Sequence, residues 1–177
     1  MRPPAAGRMP YRRRVDEQSG PTVQEPVARE AARAVLVDTD DRVLLLQAHV
    51  PHAPEVTRWW FTPGGGLKPG EDAPTALCRE VLEETGLDLS PADLGPVRHE
   101  QTVEFPFEGR RYRQHEVFHL VRVQPFEVDV TRWTAVEQRD LVGHRWWPLE
   151  ELAGTDQTVY PGLLAALVSS TIRSGWL

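Results

Sequence analysis

In GGGLKPGEDAPTALCREVLEETGL, residues 64–87, three glycines and an isolated acid, Glu71, lead into a segment that crowds Glu80, Glu83 and Glu84 beside Arg79. Asp72, Ala73 and Pro74 supply an acidic cap and a first-turn proline, and Gly86 supplies a stop. That punctuation predicts a helix over about residues 73–85. At about 100° per residue, Leu77, Cys78, Val81 and Leu82 share one arc, the expected core side, whereas Glu80, Glu83 and Glu84 fall within another. Carboxylates three or four residues apart repel by about a few tenths of a kcal/mol per pair. A solvated face would intersperse lysines to relieve this, and here a single arginine stands among three acids. The crowding calls for a cation that the chain does not encode.

Oxygen donors at that density suit Mg²⁺ or Mn²⁺, hard ions that take carboxylates, water and substrate phosphate. The glycines let backbone approach an ion or a phosphate closely, with Gly64 or Gly65 able to offer a carbonyl oxygen. Metal binding by the carboxylates of this face, with a backbone carbonyl from Gly64 or Gly65, is therefore expected, and phosphate chemistry follows from it.

The whole chain sets the bounds. At 177 residues it is long enough for one domain with a real core. Hydrophobic residues at 40% and charged ones at 26% are near globular averages, and no apolar run reaches the roughly 18 residues of a membrane helix. A formal charge of −6 excludes a chain whose main work is coating nucleic acid. Neither a stable nucleic-acid partner nor a membrane partner is expected; a small anionic ligand is compatible, because bound cations reverse the local field of carboxylates. The one cysteine, Cys78, excludes an intrachain disulfide and a cysteine metal cluster, which fits a cytoplasmic setting. One lysine against nineteen arginines suggests a GC-rich, bacterial coding genome.

Residues 1–28, rich in arginine and proline, are expected to be a disordered tail, and residues 29–177 one domain. Two apolar runs, Ala34 to Val37 and Val43 to Leu46, flank Asp38-Thr39-Asp40-Asp41 and predict a hairpin. A proline-containing loop over 49–58 leads to a short strand from Trp59 to Thr62. A long antiparallel pair turns at Glu108-Gly109, with Pro106 marking a bulge or an edge. A polar stretch near 129–143, a strand from His144 to Trp147, a short helix opening at Pro148 and an amphipathic helix from about Pro161 to Ile172 complete the chain. Interleaved strands and helices without a regular repeat imply an α/β domain, a mixed β-sheet between helices.

The acidic stretch resembles the Nudix box, G-x5-E-x7-R-E-U-x-E-E-x-G-U with U bulky and aliphatic. Gly65, Glu71, Arg79, Glu80, Val81, Glu83, Glu84, Gly86 and Leu87 fill every fixed place. From average residue usage, all nine would match by chance on the order of once in 10¹⁰ positions. The resemblance implies the Nudix fold and metal-dependent hydrolysis of a nucleoside diphosphate linked to another moiety, here a nucleoside triphosphate or a nucleotide sugar. It implies Mg²⁺ or Mn²⁺ held by Glu80, Glu83 and Glu84, Arg79 orienting the glutamates, and Glu71 supporting the loop. It also implies a further acid from outside the box, for which Glu137 is the first choice and Glu116 the second, and it is compatible with a homodimer. The alternative is a Nudix-fold sensor that binds a nucleotide without turning it over, a role for which an intact box is not required.

For the substrate, Trp60 and Trp146 are the candidates to stack on a base, and Arg58 to meet a phosphate. They sit in the pairs Trp59-Trp60 and Trp146-Trp147, where alternation turns one of each pair to the core and the other outward.

Overall fold

The computed structural model describes residues 25–49, 58–107 and 109–175. Residues 50–57 of the loop expected over 49–58, residue Glu108 of the expected turn and residues 1–24 of the expected tail lie outside them; His49 and Arg58, the ends of that loop, belong to strands. Eight strands form one mixed sheet: β1 (Val27–Val37), β2 (Arg42–His49), β3 (Arg58–Phe61), β4 (Gly64–Gly66), β5 (Val97–Phe107), β6 (Arg110–Arg122), β7 (Leu141–Pro148) and β8 (Val159–Tyr160). Their order is β5-β6-β1-β2-β3-β8, with β4 joined to β1 and β7 to β2. β1 runs parallel to β6, and β3 parallel to β8, while the remaining pairs are antiparallel. The helices are α1 (Ala73–Thr85), α2 (Ala135–Asp140), α3 (Leu149–Gly154) and α4 (Leu164–Arg173).

The hairpin forms as expected, with Val37 facing Val43. Its turn is held by buried Asp38, whose Oδ1 accepts from the Asp40 and Arg42 N–H groups and whose Oδ2 receives the Arg42 guanidinium. Alternation along β1 then splits the core in two. Ala32, Ala34 and Leu36 join Leu44, Leu77 and Val81 under α1. Val35 and Val37 join Trp60, Phe118, Trp147, Leu164 and Val168 under α3 and α4. The sheet is thus covered on both faces, as the sequence implies.

Several differences are instructive. β1 begins at Val27, inside the stretch expected as tail, because it pairs with β6 from its first residue, Val27 opposite Tyr112. The three glycines, for which no strand is expected, form strand β4 against β1; without side chains they carry no alternation by which a strand is recognised. Pro106 lies on β5, the edge of the sheet, where a missing N–H costs no ladder bond; the irregularity of this pair falls instead between Val97 and His99. The polar stretch near 129–143 contains a 3-10 turn at Val130–Arg132 and α2.

α1 matches its expected span. Asp72 caps it by accepting from the Thr75 N–H, and Gly86 ends it in the left-handed conformation. Its buried face is Ala76, Leu77, Val81, Glu84 and Thr85. Glu84, expected on the exposed acidic arc, is therefore turned inward. It lies only about 20° around the helix from Leu77, so the core face claims it.

β4 is held close to β1. A Cβ added at Gly64, where φ is +126°, would stand 2.2 Å from the Ala32 carbonyl oxygen, whereas one at Gly70, φ +84°, would meet nothing within 4 Å. Gly70→Ala is expected to cost about 1–2 kcal/mol from backbone conformation alone. Gly64→Ala, which adds a clash with main chain, is expected to cost distinctly more and to lower the melting temperature further; equal shifts in thermal denaturation would contradict the packing described.

Candidate metal and catalytic site

α1 and β4 face each other across a short loop, and Arg79 ties them together. Its Nε and Nη2 donate to the two oxygens of Glu71, each at 2.7 Å, in a forked pair. Nη1 donates to Glu80 Oε1 at 2.6 Å and to Glu83 Oε2 at 3.3 Å, and Nη2 reaches the Gly66 carbonyl at 3.2 Å. The fork grips Glu71, outside the helix, which also accepts from the Lys68 N–H at 2.7 Å. Hydrogen bonds from Arg79 and from the Lys68 backbone hold the Glu71 carboxyl down at about 2. The hydrogen bond to Glu71, and then that to Glu80, pushes the Arg79 guanidinium above its ordinary range.

Glu80 lies over Gly65 so closely that a Cβ there would come within 2.6–2.8 Å of its carboxylate atoms. Lys68 Nζ approaches Glu83 at 3.7 Å. Glu84 is 6% exposed and accepts the Gly64 N–H at 2.7 Å. Burial pushes its carboxyl up to about 8, against the opposing pull of that N–H and of the Arg33 charge.

One carboxylate oxygen each from Glu80, Glu83 and Glu137 lies within 4.8 Å of the others, and all three residues are half-buried. Glu137 comes from α2, far along the chain. Its carboxylate accepts the Thr134 N–H at 2.6 Å while the Thr134 hydroxyl accepts the Glu137 N–H, a reciprocal cap. The group is made of carboxylates alone, hard oxygen donors that fit Mg²⁺ or Mn²⁺ by type. Of the two acids considered outside the box, Glu137 stands in this group.

Glu116 is elsewhere and is saturated. It is fully buried on β6 and receives Arg33 Nε at 3.2 Å, Gln114 Nε2 at 2.8 Å, Gln101 Nε2 at 2.9 Å and the Tyr160 hydroxyl at 2.5 Å. Burial pushes its carboxyl up, but the Arg33 charge and these donors outweigh burial and hold it below the usual range. Burial, and then the Glu116 charge, pushes the Tyr160 hydroxyl above the ordinary phenol range. Arg33 Nη1 donates to the Gly64 carbonyl at 2.5 Å, so this network reaches the glycine strand.

The residues expected to bind substrate are not gathered at the acidic group. Trp60 is 8% exposed, stands edge-on to Trp147 at 5.2 Å between ring centroids, and donates to Gln157. Trp146 lies on the opposite face, edge-on to Phe126, and lines a cleft of about 300 Å³ with Arg42, Pro125 and Glu127. Arg58 is exposed at the start of β3, opposite His49. Of each tryptophan pair, Trp60 and Trp147 take the core and Trp59 and Trp146 are less buried.

Sequence reasoning missed Arg33 and the cap on α2, although both left signals. Arg33 occupies a place in the alternating line that otherwise continues as Val35 and Val37, where a cation needs a buried partner. Thr134-Ala-Val-Glu137 has the spacing of a capping box.

The Glu71–Arg79 tie has a defined acid limit. Because the folded-state pKa of Glu71 is lowered, from 4.5 to about 2, its contribution is fully present above 4.5 and is lost as pH falls through about 2. The gap in melting temperature between the wild type and Glu71→Gln is expected to be constant above pH 5 and to shrink as pH falls from 4.5 towards 2. A gap that does not narrow over this window would contradict the assignment.

The NUDIX domain model matches residues 27–167. The chain is 30% identical over 112 residues to an RNA pyrophosphohydrolase of Rhodopseudomonas palustris (strain BisB18), covering 58% of this chain and 63% of that protein. It is 39% identical over 79 residues to the 8-oxo-dGDP phosphatase NUDT18 of Homo sapiens, covering 44% of this chain and 24% of that protein. The chain thus spans less than two thirds of the length of these curated relatives. Among solved structures, it is similar to a MutT protein from Methanosarcina mazei Go1, with a TM-score of 0.59 and 18% identity over 85% of this chain and 97% of that one. An Ap4A hydrolase of C. elegans gives a TM-score of 0.53 at 22% identity, over 82% and 98%. The fold, the complete box and the match over most of its length place this chain in the NUDIX domain family.

Proposed function

We propose that this chain is a cytoplasmic, divalent-metal-dependent pyrophosphohydrolase that cleaves the diphosphate linkage of a small nucleotide, a nucleoside triphosphate or a nucleotide sugar. The observation that carries this reading is the convergence of Glu80, Glu83 and Glu137, from two distant segments, with one oxygen each inside 4.8 Å. Relatives named for RNA pyrophosphohydrolase and 8-oxo-dGDP phosphatase activity support the class of bond.

Glu80, Glu83 and Glu137 would hold Mg²⁺ or Mn²⁺; of the other two expected ligands, the Glu84 carboxylate is engaged by the Gly64 N–H and the Gly64 carbonyl by the Arg33 guanidinium. Such a cation supplies charge neutralisation to the diphosphate and lowers the pKa of water. The chain's own residues do the rest. Arg79 fixes the directions of Glu80 and Glu83 and prevents their mutual repulsion from splaying them. Glu84 holds the Gly64 N–H and so sets the glycine strand beside the helix. Glu137, with one carboxylate oxygen anchored by the Thr134 N–H, would turn the other towards the cation's attacking water and take its proton.

The test is phosphate release, after coupled pyrophosphatase and phosphatase, from nucleoside triphosphates, nucleotide sugars, ADP-ribose and dinucleoside polyphosphates with Mg²⁺ or Mn²⁺. Wild-type turnover on one class is expected, with Glu137→Gln lowering kcat by about 10²–10⁴-fold and Glu83→Gln abolishing the response to metal. Silence across the panel, with nucleotide binding retained in calorimetry, would replace this reading by that of a sensor.

A further inference from the structure

We infer that Trp133 is a positioning residue that latches the Glu137 segment onto the C-terminal end of α1 and thereby sets the third carboxylate of the cluster. The inference rests on the reading of Glu137 given above.

The last four carbonyls of a helix have no partner within it. Two of those on α1 are taken by the incoming segment. Trp133 Nε1 donates to the Glu84 carbonyl at 2.8 Å, and the Asp129 N–H donates to the Thr85 carbonyl at 3.0 Å. The indole also packs beside Leu46, Ala48 and Leu141, which fixes its plane as well as its N–H. Gly86 allows the approach, since a Cβ there would come within 2.6 Å of Asp129 Cβ.

From the indole to the carboxylate there is no loose joint. The residue after Trp133 is Thr134, which exchanges two hydrogen bonds with Glu137. Gln138 Nε2 donates back to the Trp133 carbonyl at 2.8 Å. By contrast, neither the 3-10 turn at 130–132 nor α2 has a buried residue of its own. A segment with so little burial holds its posture through its few anchors; half-buried Trp133 is the one that precedes Glu137, as buried Leu141 is the one that follows it. Glu84 becomes the junction of the site, with its carboxylate on Gly64 and its carbonyl on Trp133.

The experiment is a double-mutant cycle on the full chain with wild type, Trp133→Phe, Glu137→Gln and the double variant. Mn²⁺ affinity is read by electron paramagnetic resonance, together with kcat and KM on the substrate class the panel identifies. Trp133→Phe keeps an aromatic ring beside Leu46, Ala48 and Leu141 but removes the N–H donor together with the five-membered ring that carries it. It is expected to weaken Mn²⁺ binding and to lower kcat about five- to tenfold, the scale of one neutral hydrogen bond, with KM little changed. In the Glu137→Gln background it is expected to change either quantity by less than about twofold, because residues that act through one another are not additive. An equal loss in both backgrounds, or no loss in the wild-type background, overturns the latch alone. If Glu137→Gln leaves Mn²⁺ binding and turnover intact while Glu83→Gln removes both, Glu137 leaves the site and the inference falls with it. Should Trp133→Phe not fold, Gln138→Ala, which removes the bond joining α2 to the Trp133 carbonyl, is put through the same cycle; an equal loss in both backgrounds, or none in the wild-type background, then overturns the coupling of Trp133 to Glu137.

Discussion

Three acids within five residues of one helix can be kept together only by compensating charge, and Arg79 provides all of it that α1 itself contains. Its fork on Glu71 fixes the guanidinium, and the fixed guanidinium fixes Glu80 and Glu83. A lysine would supply the charge without the two-pronged geometry. Glu71 therefore serves the site from a distance. It aims nothing at a ligand, but it keeps the arginine from following whichever carboxylate moves.

Gly64 is held from both sides in a similar way. Glu84 accepts its N–H on one side, and Arg33 donates to its carbonyl on the other. Arg33 is in turn secured by Glu116, and Glu116 by Gln101, Gln114 and Tyr160. Buried polar groups of this kind are tolerable only when every member is satisfied. Here the four donors around Glu116 meet that condition, so the network is a rigid mount under the glycine strand.

Much of this architecture was legible in the chain. The box named its helix to the residue, because a cap, a first-turn proline and a terminal glycine are local signals with local causes. The hairpin followed from two apolar runs about a turn, and the sheet covered on both faces from strands interleaved with helices. Side-chain direction was less legible near a boundary: Glu84 sits between the acidic and apolar arcs, and tertiary packing decided which side it joined. Gly64 to Gly66 have no side chains to report a strand. Trp60 and Trp146 illustrate the other limit, since aromatic identity is the same in a core as in a binding surface, and only the fold assigned Trp60 to the core.

The parallel pairing of β1 with β6 carries a consequence for how the molecule comes to be folded. Partners along that ladder are 85 positions apart in the chain, as Glu30 and His115 are, so loop closure must be paid before the central strands reward it. The box helix, though recognisable alone, reaches its working arrangement only after that closure, because Arg33 lies on β1 and Glu116 on β6. Arrival of the downstream half during synthesis, rather than completion of the motif, is thus the event that commits the chain to a finished site.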